Sequence, residues 1–291
     1  MLHRTLDLDG EVHYVDFGGE GRPVVLVHGL GGSYANWLSV GPGLTEHGHV
    51  FALDLSGHGR TRSQGRGARV SANRRLLGRF LEAVAREPAV VVGNSMGGYL
   101  ALEEAATEPE KVHSLVLVDP AVPIVRGALF DLEVSALFAA LTLPLVGRAL
   151  LRFRARRGPE EIVHDLLALC CVEPSRIDPA VYSAHLALAR ERFLRAAEGR
   201  RDFLEAQRSL MGRLLRRRRF YSMVARVRAK ALIVEGERDR LVRVEAVRAL
   251  AAARPDFTLV VLADVGHVPQ LEAPARFLAA VRPFLAGRAV A

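Results

Sequence analysis

Unbroken apolar runs alternate along this chain with stretches whose apolar positions recur at helical spacing. Val24-Val25-Leu26-Val27 has no polar interruption, as a strand buried on both faces requires. Residues 12–17 and 23–28 are therefore expected as strands, joined through Gly18-Gly19-Glu20-Gly21 in a hairpin-like opening. A third strand is expected over 50–55. Leu76, Leu77, Phe80, Leu81 and Val84 then stack on one face of a helix predicted over 71–85, which Pro88 stops. Strand and helix next take turns, with a strand over 89–93, a helix over 96–107 and a strand over 112–118. The rhythm breaks at Pro120 and Pro123. It resumes with strand 231–234, helix 244–253, strand 258–262 and one closing helix over 271–285. Such alternation marks an α/β protein with a mostly parallel sheet covered by helices on both faces. The segment 122–228 shows no strand-like alternation, so an α/β core of 1–121 and 229–291 is expected to carry a helical cap inserted between its halves.

Composition alters this picture in one place. Half of the 291 residues are apolar and a quarter are charged, which excludes a disordered or collagen-like chain. The net charge of +8 is unevenly spread: residues 122–228 hold 20 basic and 11 acidic side chains, leaving the remainder at −1. An apolar run beside arginine-rich helices suits a surface that contacts an anionic membrane or receives carboxylates. In that reading Leu129, Phe130, Leu137, Phe138 and Leu141 line an acyl-binding pocket under the cap. The plainer alternative is that they pack cap onto core while the arginines form a solvated face. The run Arg216-Arg217-Arg218-Arg219 comes with only 6% aromatics and no recognition motif, so it is expected as a solvated helix end and nucleic acid is not an expected partner. Cys170 and Cys171 are adjacent, about 3.8 Å apart at Cα, which excludes a disulfide framework and a cysteine-type zinc site. The N-terminus shows no basic start followed by an apolar run, and the longest uncharged apolar stretch, 134–147, is shorter than the roughly 20 residues of a spanning helix. A cytoplasmic protein without a transmembrane helix is expected.

The candidate chemistry sits at predicted strand ends. Gly93-Asn94-Ser95-Met96-Gly97-Gly98 joins a strand to a helix, the context in which Gly-x-Ser-x-Gly presents a nucleophilic serine on a sharp turn. Side chains at 93 and 97 would collide across that turn, and glycine removes them. A serine hydroxyl needs a base, and the base needs an orienting acid. His267 follows the last predicted strand and Asp239 the one before it, at the edge where open α/β sheets place their sites. Asp119 also ends a strand and is the rival acid. A tetrahedral oxyanion needs backbone N–H donors. Met96 at the helix start supplies one. Leu30, in His28-Gly29-Leu30-Gly31-Gly32, is chosen for the other, with Gly31 as the alternative.

These motifs together resemble the α/β-hydrolase superfamily, with Asp54-Leu55-Ser56-Gly57-His58-Gly59 matching its Asp-x-x-Gly-His-Gly turn and Gly266-His267 its base. The likeness covers the chain outside 122–228, where that superfamily commonly carries a variable helical cap. It implies a serine hydrolase that needs neither cofactor nor metal. Dehalogenase and epoxide-hydrolase branches use an aspartate nucleophile, whereas position 95 is serine. Carbon–carbon hydrolases of aromatic ring-fission products share Gly-Asn-Ser-Met-Gly-Gly but usually carry Trp after the base, where this chain has Val268. The expected function is cleavage of a small-molecule carboxylic ester with an apolar acyl group. Its rivals are a carbon–carbon hydrolase, a ligand- or lipid-binding protein that kept the fold without turnover, and a basic nucleic-acid module.

Overall fold

A computed structural model describes residues 1–124 and 131–289. Its eight strands are β1 (Leu2–Asp7), β2 (Glu11–Gly18), β3 (Pro23–Val27), β4 (His49–Leu53), β5 (Ala89–Asn94), β6 (Val112–Val118), β7 (Lys230–Gly236) and β8 (Thr258–Leu262). They form one sheet in the order β1-β2-β4-β3-β5-β6-β7-β8. The β1–β2 and β2–β4 pairs are antiparallel and every other pair is parallel. The expected β2–β3 hairpin does not form: both strands pair with β4, one on each side of it. Four residues of Gly-rich chain fit a hairpin, but a buried parallel β3 is served better by β4 and β5 as neighbours.

Side chains of the central strands alternate between two cores, as the period of two requires. Val25 and Val27 face a cluster built with α2 (Val70–Val84) and α3 (Met96–Thr107), while Val24 and Leu26 face Trp37, Leu44 of α1 (Gly41–Leu44), and Phe277 and Val281 near the C-terminus. Helix α2 earns its place through Leu76, Leu77, Phe80 and Leu81, all buried on one side.

Between β6 and β7 the described chain is helical, with α4 (Leu132–Thr142), α5 (Pro144–Ala155), α6 (Pro159–Cys170), α7 (Pro179–Phe193), α8 (Ala196–Leu214) and α9 (Arg217–Val224). Helices α8 and α9 are continuous with the core: Ala206, Leu210, Phe220, Met223 and Val224 belong to the same buried cluster as the sheet. Helices α6 and α7 instead form a small cluster of Val163, Leu167 and Val181 with Val268 and Leu271. After α10 (Val244–Ala253) and β8, the single closing helix expected from sequence is two, α11 (Pro269–Glu272) and α12 (Pro274–Leu285). Pro274 disfavours helical backbone at Ala273, whose φ of −139° and ψ of 56° make the break.

Candidate active site

The register of the parallel strands aligns their C-terminal ends: Val27 lies beside Leu53 and Gly93, Asn94 beside Val118, and Val118 beside Val234. The residues that follow these ends therefore converge on one edge. Ser95 follows β5 with φ of 53° and ψ of −116°, left-handed backbone that a non-glycine residue adopts only when its surroundings impose it. Its N–H donates to the Val118 carbonyl, and its carbonyl accepts from Tyr99 and Ala121 N–H at 3.0–3.1 Å. The glycines beside it are sterically forced. A Cβ on Gly93 would stand 2.4 Å from the Gly97 carbonyl oxygen, and one on Gly97 would stand 2.1 Å from that of Val27.

His267 and Asp239 meet directly. His267 Nδ1 lies 2.6 Å from Asp239 Oδ2, while Asp239 Oδ1 accepts from the N–H groups of Leu241 and Val242 at 2.7 and 3.0 Å. With Nδ1–H donating to a carboxylate, the lone pair of the imidazole is at Nε2. Three backbone bonds fix the loop that carries the ring. His267 N–H donates to the Cys170 carbonyl at 2.7 Å, its carbonyl accepts from Asn94 Nδ2 at 3.1 Å, and Gly266 N–H donates to Glu272 Oε2 at 2.8 Å. Asn94 also donates to the Val118 carbonyl, so one amide joins the turn of Ser95 to the loop of His267. Glu272 Oε1 accepts from Glu173 N–H, which ties the segment after α6 to the same loop.

Asp119 is fully buried behind this pair. Its Oδ1 accepts from Gly236 N–H at 2.8 Å and its Oδ2 has no hydrogen-bond partner among the described residues. Burial first and the charge of Asp239 second push its carboxyl well above the ordinary range. Glu235, also buried with both oxygens unpartnered, is raised well above its range by burial and then by Asp119. Asp119, Asp239 and His267 offer ligand atoms within 4.8 Å of one another, a separation a cation could bridge. The geometry speaks for a hydrogen bond instead, because Nδ1 and Oδ2 at 2.6 Å are closer than adjacent ligands of a tetrahedral ion, which at about 2.0 Å from it stand about 3.3 Å apart.

The loop after β3 faces Ser95: a Cβ on Gly29 would lie 3.0 Å from the Ser95 Cβ. Gly32 N–H closes the turn onto the Gly29 carbonyl at 3.1 Å, and the N–H groups of Leu30 and Gly31 have no acceptor among the described residues. His28 holds this loop from beneath, donating from Nδ1 to the Gly29 carbonyl at 2.7 Å and accepting Leu55 N–H at Nε2. Burial lowers its basicity, so the neutral tautomer that this pattern needs is the favoured form. Asp54 accepts Tyr34 N–H, Arg60 N–H and His13 Nδ1, which makes the Asp-x-x-Gly-His-Gly turn a support of the site from below. Met96 begins α3 directly after Ser95 and is buried.

Of the residues expected to line an acyl pocket, Leu137 and Phe138 are half-buried and Leu141 is buried, on a helix tied to α8 by Gln207 Nε2 donating to the Phe138 carbonyl. Leu129 and Phe130 lie outside the described residues. Cys170 and Cys171 are free thiols beside the site, and burial pushes the Cys170 thiol up to about 12, so it stays protonated. Reading by motif passed over Asn94, Glu272 and the orienting role of His28. A lone Asn, Glu or His carries no spacing signal, and each has a partner far along the chain: Leu55 for His28, Glu173 for Glu272 and His267 for Asn94, 27, 99 and 173 residues away.

A family model described as the alpha/beta hydrolase fold matches residues 22–274. The dihydrolipoyllysine-residue acetyltransferase component of an acetoin cleaving system from Cupriavidus necator is 31% identical over 288 residues, 98% of this chain and 69% of that protein. A 2-hydroxy-6-oxo-6-(2'-aminophenyl)hexa-2,4-dienoic acid hydrolase from Metapseudomonas resinovorans is 28% identical over 286 residues, 96% of this chain and 89% of that one. Among solved structures, a membrane phospholipase A superposes with a TM-score of 0.76 at 27% identity, covering 98% of this chain and 86% of that one. With the family model spanning most of its length, this chain belongs to the α/β-hydrolase fold family.

Proposed function

We propose that the protein is a serine hydrolase that cleaves carboxylic esters of apolar acyl groups through an acyl-enzyme on Ser95. The observation that carries this reading is the His267–Asp239 contact at 2.6 Å on a loop tied by Asn94 to the strained turn of Ser95. In this reaction Ser95 Oγ attacks the ester carbonyl while His267 Nε2 takes its proton. The carbonyl oxygen becomes an oxyanion between the N–H groups of Met96 and Leu30. The carbon–oxygen bond to the alcohol then breaks, and the proton on Nε2 leaves with the alcohol. Water attacks the acyl-enzyme, gives a proton to Nε2, and the acid departs as that proton returns to Ser95. Asp239 holds the tautomer throughout.

Initial rates on p-nitrophenyl esters from acetate to palmitate test the reading. Ser95→Ala should lower turnover by about 10⁴- to 10⁶-fold. Wild-type rates in that variant would overturn it, and the optimum chain length would report the depth of the acyl site.

Carbon–carbon cleavage is the second reading, supported by the 2-hydroxy-6-oxo-6-(2'-aminophenyl)hexa-2,4-dienoic acid hydrolase that shares 28% identity over nearly the whole chain. Against it stands Val268, buried against α6 and α7 where those hydrolases usually carry Trp. Hydrolysis of a 2-hydroxy-6-oxo-dienoate with no turnover of any ester would make it the preferred one.

A further inference from the structure

The outer side of the cap carries an apolar stripe that no described residue covers. On α4, Leu132, Ala136, Ala139 and Leu143 just past its end recur at helical spacing, and all are exposed, while Val134 and Leu141 are buried on the other side. On α5, Leu145, Ala149 and Phe153 repeat the arrangement with Val146 beside them. Leu132, Leu145 and Phe153 are 81%, 78% and 63% exposed. An isolated exposed leucine is ordinary; a contiguous stripe across two helices is not. The helices meet at 112°, so Leu143-Pro144-Leu145-Val146 forms a protruding corner. They have 11 and 12 residues, too short to cross a bilayer but suited to lying in its interface.

Charge is arranged beside the stripe. Arg148 and Arg152 of α5 line a cleft of about 420 Å³ together with Arg69, Arg200, Arg201 and Arg208. The carboxylate in its lining, Glu205, is already bonded to Arg69 and to Ala68 N–H. Arg148, Arg152 and Arg200 pair with no carboxylate among the described residues. Guanidinium forks match phosphate oxygens in charge and geometry.

We propose that the α4–α5 corner docks in plane on an anionic bilayer, with Leu143, Leu145, Val146 and Phe153 at the acyl boundary and Arg148 and Arg152 on headgroup phosphates. Leucines at the corner separate a lipid surface from a nucleic-acid backbone, which offers them no apolar partner. A second copy of the chain fits less well, because two-fold pairing through this face would bring arginine clefts together. The proposal stands on the cap alone and is independent of the chemistry at Ser95.

The test uses the full chain carrying Ser95→Ala, so that no lipid is consumed, sedimented with vesicles of phosphatidylcholine alone or mixed with phosphatidylglycerol. Binding is expected only to the mixed vesicles and should weaken as salt is raised. The pair Arg148→Gln and Arg152→Gln should lower partitioning by about 30-fold. Leu145→Ser with Phe153→Ser should lower it by about tenfold or more, with melting temperatures unchanged because all four side chains are exposed. Failure to sediment with either vesicle, equal binding to both, or undiminished binding by both variant pairs would overturn the proposal. So would a concentration-dependent dimer that Leu145→Ser with Phe153→Ser dissolves, which would give the stripe to a second copy.

Discussion

Ser95 is held in a conformation its own chemistry disfavours, and glycines at 93 and 97 leave the room that conformation needs. A Cβ at Gly97 would overlap the Val27 carbonyl oxygen at 2.1 Å, backbone that cannot yield. Gly97→Ala should therefore destabilise the protein by about 3 kcal/mol or more in urea unfolding, far beyond an ordinary glycine substitution. The two acids behind His267 differ in what they accept. Asp239 takes two backbone N–H groups and the imidazole; Asp119 takes one N–H and is raised by burial. Asp239→Asn should lower turnover by about 10⁴-fold, as loss of the correct tautomer does elsewhere. Asp119→Asn should keep activity within about tenfold, since an amide oxygen can still accept from Gly236 N–H and the side chain stays uncharged in its buried place. The reverse pattern in ester kinetics would transfer the orienting role to Asp119. Motif and chain order were enough to single out Ser95, His267 and Asp239, but nothing in sequence says that Asp119 lies within reach of both partners.

The packing of α3 on α2 contains a pH-sensitive joint. Glu104 on α3 is buried with Oε1 unpartnered and Oε2 bonded to Arg74 at 3.0 Å. Burial first and Glu108 second raise its carboxyl from 4.5 to about 7. The folded form thus keeps a proton that the unfolded chain has released, so this contribution is full below 4.5 and is lost as pH rises through about 7. Glu104→Gln cannot ionise. Measured by urea unfolding at about pH 5 and pH 8, its stability relative to wild type should rise by about 1–3 kcal/mol at the higher pH. An equal difference at both would refute the assignment. The helical spacing of apolar residues in α2 and the unbroken apolar run of β3 were legible from sequence. The pairing of β2 and β3 with β4 and the break between α11 and α12 were not, because the first depends on which strand supplies a better neighbour and the second on one proline.

Several ion pairs cross between the inserted helices and the rest of the molecule: Arg60–Glu191, Arg62–Glu198, Arg69–Glu205 and Arg213–Glu103. The first three are exposed, and pairs of that kind contribute about 0–1 kcal/mol each. The stronger link is apolar, through Leu210 and Phe220, which share the cluster of the sheet. Leu210→Ala should cost about 2–5 kcal/mol in a single cooperative transition, whereas Arg62→Ala should change stability by less than about 1 kcal/mol. Two transitions in the Leu210 variant would mean that the inserted helices unfold apart from the core. By itself the sequence determined the α/β class, the Gly-x-Ser-x-Gly turn and the chain order of Ser95, Asp239 and His267, because these are written in local periodicity and in residues adjacent along the chain. Only the tertiary structure decided the strand order, the buried acids behind His267 and the tie through Asn94. It also decided which arginines pair with carboxylates and which, among the described residues, have no such partner beside an exposed apolar stripe. Each of these is a contact between residues far apart in sequence, and no local pattern encodes the partner.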